Sequence, residues 1–149
     1  MVKVRGRRKL AANFKRLTTV DALALSSSMR LSLVPMNEQV TANAKLLRQP
    51  GPRPRGGHLD QGVVTRKVKA TGRFEQVWWV ALTRRARSIG HMVEFGTRPH
   101  DQPRRGTFHP GATPRPFFRS AEAEKREEVK RTFVRLTWQV ISASIIPTR

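Results

Sequence analysis

The sequence predicts an α+β fold, a small antiparallel sheet packed against two long helices and some shorter ones. Three observations predict it. Apolar residues recur at helical spacing through 21–47 and again through 117–145. Two runs rich in β-branched and aromatic residues, 63–69 and 74–82, are separated by a hairpin-length connection. Segments dense in proline and glycine, 49–57 and 97–116, punctuate the rest. A chain of 149 residues suits a single domain over 1–149, long enough to bury about two-thirds of its unfolded surface.

The elements follow in order. Val2 and Val4 alternate with Lys3 and Arg5 as a short strand-like start, which Gly6 breaks. Leu10, Phe14 and Leu17 share one helical face, so 7–17 reads as a short amphipathic helix with a basic outer side. Asp21 is placed to cap the next helix, whose stripe is Leu33, Met36, Val40, Ala44 and Leu47. Pro35 inside that span lacks an N–H and must kink the helix or divide it.

Residues 49–57 form a basic, exposed loop. The strands 63–69 and 74–82 pair across 70–73, and the second, being more apolar, is expected to be the more buried. Trp78 and Trp79 point to opposite faces, one into the core and one free to meet a neighbour or, less favoured, to stack on a base. Ala86, Ile89, His91/Met92 and Phe95 predict a short helix over 84–95, with Gly96 as the C′ glycine that ends it. The five prolines of 97–116 argue against regular structure there and for a long connecting loop. The last helix, 117–145, carries Val129, Phe133, Leu136 and Val140 on one face. Glu122→Arg126 and Glu127→Arg131 are its i, i+4 pairs, and its acids gather early, where the helix dipole favours them.

Thirty Lys+Arg against 10 Asp+Glu give a net charge of +20, far beyond what solubility requires, and favour a polyanionic partner. Nucleic acid leads, with an acidic protein surface second. The cations cluster at Arg5/Arg7/Arg8/Lys9, Arg53/Arg55, Arg66/Lys67/Lys69, Arg84/Arg85/Arg87 and Arg104/Arg105. Their spread over many elements predicts phosphate contact without base reading, hence salt-dependent and not sequence-specific. Absence of cysteine excludes disulfides and thiolate chemistry, and no apolar run of membrane-spanning length or signal-peptide core occurs, so a soluble, intracellular product is expected.

Catalytic signals are weak. His58, His91, His100 and His109 match no zinc spacing, and the carboxylates concentrate in the last helix without an isolated close pair. No metal, cofactor or catalytic set is expected, and a nuclease, which would need such a cluster, is the least favoured reading. Glu94, between Val93 and Phe95 in so basic a chain, is expected to be ion-paired.

Two segments remain: Val93-Glu94-Phe95-Gly96-Thr97, and Pro116-Phe117-Phe118-Arg119-Ser120-Ala121 at the head of the last helix. With the order of elements, they resemble the small head–tail joining, or neck, proteins of tailed bacteriophages, the gene-product-ten-like family of phage HK-ninety-seven, distantly similar to the minor tail protein Z group. Val93 to Thr97 corresponds in full to that family's Val-Glu-Phe-Gly-Thr. The second segment corresponds to its Pro-Phe-x-Arg-Pro-Ala except at Ser120, and the family's usual turn before the sheet is absent around Gly57-His58-Leu59.

The resemblance implies a non-enzymatic ring subunit of a virion or phage-derived particle, made in the bacterial cytoplasm. Such a subunit packs against connector, tail-terminator or tail-tube rings with sixfold or twelvefold symmetry and touches packaged DNA without specificity. Glu94 and Arg119 are then expected to tie the short helix to the last one, Phe95, Phe117 and Phe118 to pack that junction, and the two irregular segments to reach neighbours. The alternative is a basic, sequence-nonspecific nucleic-acid-binding protein.

Overall fold

The computed structural model describes residues 23–48, 57–68, 76–103 and 106–145. The expected strand at 2–4, the helix at 7–17, the Asp21 cap, the loop 49–56 and the hairpin turn at 70–73 lie outside the described residues. The fold is α+β, with helices and two small antiparallel sheets.

Pro35 divides the first long helical span. Helix α1 covers 23–32, Leu33 is a turn, and α2 runs Val34–Leu46 with the proline in its first turn. Leu33 N–H donates to Arg30 O at 3.3 Å to close one helix, and Asn37 N–H to Leu33 O at 2.9 Å opens the other. A proline at a helix start forfeits only an N–H that has no partner there anyway. Four residues of the expected stripe line the core, Val40 and Ala44 buried with Met36 and Leu47 packed against them, whereas Leu33 is the turn between the two helices and is not among them.

A 3-10 turn, Leu59–Gly62, leads into β1, Val63–Val68, which pairs antiparallel with β2, Val77–Leu82, from Val63↔Leu82 to Val68↔Val77. The pleat turns Leu82, Val80 and Val63 toward the core and leaves Trp79 exposed opposite Arg66, whose guanidinium lies 5.8 Å from the ring centroid. Trp78 faces the other way, half-buried, and its Nε1–H donates to Ser26 Oγ of α1 at 3.2 Å. Greater hydrophobicity did not bury β2 as a whole: Leu82 is buried, but Val77 and Trp79 are not, because only one sheet face is covered.

Helix α3, Arg84–Phe95, follows directly. Its buried positions are Ala86, Gly90 and Glu94, four residues apart, whereas Met92 and Phe95 are exposed, a correction to the expected apolar stripe. Gly90, which weakens the helical pattern, sits against Leu82, where any Cβ would collide with Cδ1. The helix approaches the sheet closely because that side chain is missing.

The segment expected to be a loop holds a small hairpin. β3, His100–Gln102, pairs with β4, Thr107–His109, and an isolated bridge joins Thr97 to Ala112. Pro99, Pro103 and Pro110 fall beside the strands rather than within them, so no ladder N–H is lost. The sheets are thus two separate ribbons.

Helix α4, Phe118–Ile145, packs on α2. Val129, Phe133, Leu136 and Val140 are half-buried as expected, and Val134, Trp138 and Ile141 are exposed. Glu122 pairs with Arg126, but Glu127 pairs with Lys130 at 2.8 Å, and Arg131 Nε reaches only the Glu127 carbonyl at 3.4 Å. No acid lies in the first turn of α4, so the early carboxylates do not meet the dipole there. The core is Val40, Ala44, Leu82, Ala86, Phe117 and Ala121, where α2, β2, α3 and the start of α4 converge.

Candidate functional site

Helix α3 ends where α4 begins, and Glu94 joins them. A helix start leaves its first N–H groups without internal partners. Here Glu94 supplies them from another element: Oε2 accepts the N–H of Phe117 at 2.8 Å and of Phe118 at 3.0 Å, and Oε1 accepts that of Arg119 at 3.1 Å. Arg119 Nε donates to Oε1 at 3.1 Å, and its terminal nitrogen to the Glu94 carbonyl at 3.4 Å. The expected ion pair is present, and the carboxylate is also the cap of α4, placed where the helix dipole is positive. Burial by itself pushes the carboxyl upward, but the N–H groups of Phe118, Arg119 and Phe117 and the Arg119 side chain together hold it below its ordinary range.

Gly96 ends α3 at φ +74°, ψ −177°, an extended conformation of positive φ open essentially to glycine alone, rather than the left-handed one expected of a C′ residue. A Cβ would also strike the Ala112 carbonyl oxygen, because Thr97 and Ala112 exchange two backbone hydrogen bonds at 3.0 Å beside it. Arg115 N–H then donates to Val93 O at 2.8 Å and brings the chain back against α3. Pro116 is exposed at the entry to α4.

Of the expected aromatic packing, Phe117 is buried and its ring tilts against half-buried Phe118, with centroids 5.1 Å apart. Phe95 is a correction: it is 53% exposed, and its ring lies under the Arg119 guanidinium at 4.9 Å instead of entering the junction. Sequence reasoning missed Asn43, whose Nδ2 donates to Phe117 O and to Ser120 Oγ, both at 3.2 Å, tying α2 into the same joint. Ser120, where the resembled family has proline, bonds Pro116 O at 2.8 Å. Its polarity is put to use.

Beside the clamp lies an open cleft of about 740 Å³. Leu47, Leu59, Ile89 and Val93 contribute half-buried apolar surface, and the exposed Arg48 and Arg115 line it too. Three of the four histidines that the sequence scatters, His58, His100 and His109, come together there. His100 and His109 stack across the hairpin with centroids 5.0 Å apart. Asp60 Oδ1 and Thr97 Oγ1, also in the lining, are buried without a hydrogen-bond partner. Among the described residues no three His, Asp or Glu side chains are placed to share a metal ion.

Arg66, Lys67, Arg84, Arg85 and Arg87 are all exposed. The last three occupy the first turn of α3, where the helix dipole disfavours cations. Arg5, Arg7, Arg8, Lys9, Arg53, Arg55, Lys69, Arg104 and Arg105 lie outside the described residues. No described helix is long and apolar enough to cross a membrane. No protein-family model, curated protein or solved structure matches the chain.

Proposed function

We propose that this chain is a structural subunit of the head–tail junction of a tailed phage or phage-derived particle, without catalytic activity. The observation that carries the reading is the clamp. The two segments on which the resemblance rests, 93–97 and 116–121, meet through one carboxylate that caps α4 and pairs with Arg119. A motif combining Val-Glu-Phe-Gly-Thr with Pro-Phe-x-Arg is physically intelligible as this joint: an acid, a glycine that lets the chain turn away, and an arginine that closes over the acid. Its chemistry is positional, since the carboxylate is consumed by four donors and has no free lone pair directed at a substrate.

Exposed apolar side chains on two different elements, Trp79 on β2 and Val134, Trp138 and Ile141 on α4, suit a subunit that meets two neighbours, as closed rings require. The test is assembly. Native mass spectrometry of the purified chain, alone and with candidate connector or tail-terminator proteins, should give closed multiples, and gold-labelled particles should carry the label at the neck. A chain that stays monomeric with every such partner and binds free duplex tightly would instead be a nucleic-acid-binding protein, the reading favoured by the three exposed arginines at the start of α3.

A further inference from the structure

We propose that in the free chain residues 7–17 lie over the exposed apolar row at the C-terminal end of α4. The inference does not rest on the neck reading, since a neighbour that used this row would take it in exchange for the segment.

One row of α4 changes character along its length. Glu127, Arg131, Val134, Trp138 and Ile141 recur at four- and three-residue steps on one outward face, and all five are exposed. The row is charged as far as Arg131 and apolar beyond it, with Val134 65%, Trp138 68% and Ile141 39% exposed. Solvent accounts for the charged part of such a face, and a covering element accounts for the apolar part.

The rest of the fold leads the beginning of the chain to that end of α4. Helix α2 runs antiparallel to α4: Asn43, near the end of α2, bonds Phe117 O and Ser120 Oγ at the start of α4, and Glu38, earlier in α2, acts electrostatically on Lys125, further along α4. Leu33, between α1 and α2, keeps a right-handed helical conformation, φ −84°, ψ −4°, so α1 continues along α4 rather than folding back. On that course the start of α1 comes level with the Trp138 turn. Residues 18–22 then join Leu17 to Leu23, a connection that can span up to about 20 Å.

The segment matches the row. Leu10, Phe14 and Leu17 have the same four- and three-residue steps as Val134, Trp138 and Ile141, and either set covers about 10 Å of helix. Arg8, Lys9, Lys15 and Arg16 fall off that face of the expected helix, so docking need not desolvate them. The α4 of a second copy presents the same apolar row, but a segment tethered through 18–22 competes at an effective concentration of roughly millimolar. A phosphate finds no cation in the apolar part of the row.

The experiment uses the whole chain, whose lack of cysteine makes introduced thiols unique. Leu10→Cys with Val134→Cys, treated with a short bis-maleimide, should link within one chain at least about tenfold more than Leu10→Cys with Phe108→Cys, an exposed control in the hairpin that precedes α4. Mixing isotope-labelled and unlabelled chains separates links within a chain from links between copies. Phe14→Ala and Trp138→Ala should each lower the melting temperature by at least about 3 °C, and together by clearly less than the sum, because both remove one shared contact. Lys15→Ala, off the docking face, should change it by less than about 1 °C. Additive losses, an unchanged melting temperature in either alanine variant of the contact, equal yields from the two cysteine pairs, or links found only between copies would each overturn the proposal, the last by assigning the row to a second copy.

Discussion

Glu94 and Phe117 stand 23 residues apart in the chain, and a carboxylate oxygen of the first accepts the backbone N–H of the second at 2.8 Å in a buried setting. That bond, with those from Phe118 and Arg119, makes the end of one helix the cap of the next. Removing the acid therefore does more than break an ion pair.

Glu94→Ala should destabilise the protein by about 2–4 kcal/mol, since it orphans several N–H groups, one of them buried. Arg119→Ala should cost less than about 1 kcal/mol, because that side chain is 59% exposed and solvent screens its half of the pair. Urea denaturation of the two variants checks the ordering. Equal losses would show that the ion pair, and not the cap, holds the joint.

The same carboxylate predicts acid sensitivity. Its pKa in the folded state lies below the ordinary 4.5, so the unfolded chain takes up the proton more readily. The stabilisation is fully present above pH 4.5 and is lost as pH falls through the folded value. Glu94→Gln should flatten that limb of the stability–pH curve. An unchanged acid limb in the variant would assign the effect to other carboxylates.

Gly96→Ala should cost at least about 2 kcal/mol, from a backbone conformation closed to alanine and from contact with the Ala112 carbonyl. Hydrogen exchange should also show the hairpin loosening, as faster exchange of the Thr97 and Ala112 amides, whose N–H groups form the bridge.

Phe117 and Phe95 look equivalent in the sequence and are opposites in the fold. Phe117→Ala should lose about 3–5 kcal/mol by opening a cavity in the core, and Phe95→Ala less than about 1 kcal/mol, since its ring is largely in solvent.

If the arginines at the start of α3 contact phosphate, replacing Arg84, Arg85 and Arg87 by glutamine should lower the slope of log affinity for duplex against log salt by about 2.7. An unaltered slope would place DNA contact elsewhere on the molecule.

Much of the secondary structure was legible because it depends on neighbours in sequence. The 3.6-residue stripe of α2, the alternation of β1 and β2, the stop at Gly96 and the break at Pro35 are all consequences of local geometry. The hairpin within 97–116 is not legible in the sequence, because dense proline argues against regular structure, whereas pairing tolerates prolines that flank a strand. The buried face of α3 is not legible either, because two of its three buried residues are a glycine and a glutamate, which carry no hydrophobic signal.

Residues by themselves determined the α+β class, the excess of positive charge, and the pairing of Glu94 with a cation, since an acid among so many arginines is stabilised by one nearby. Only the tertiary structure decided that this acid caps α4, that Phe95 faces solvent under Arg119, and that His58, His100 and His109 share a cleft with Asp60 and Thr97. Each of those relations spans elements distant in sequence. A dihedral preference or a hydrophobic period acts over a few residues, but a hydrogen bond between two helices exists only once the core has placed them within 3 Å of each other.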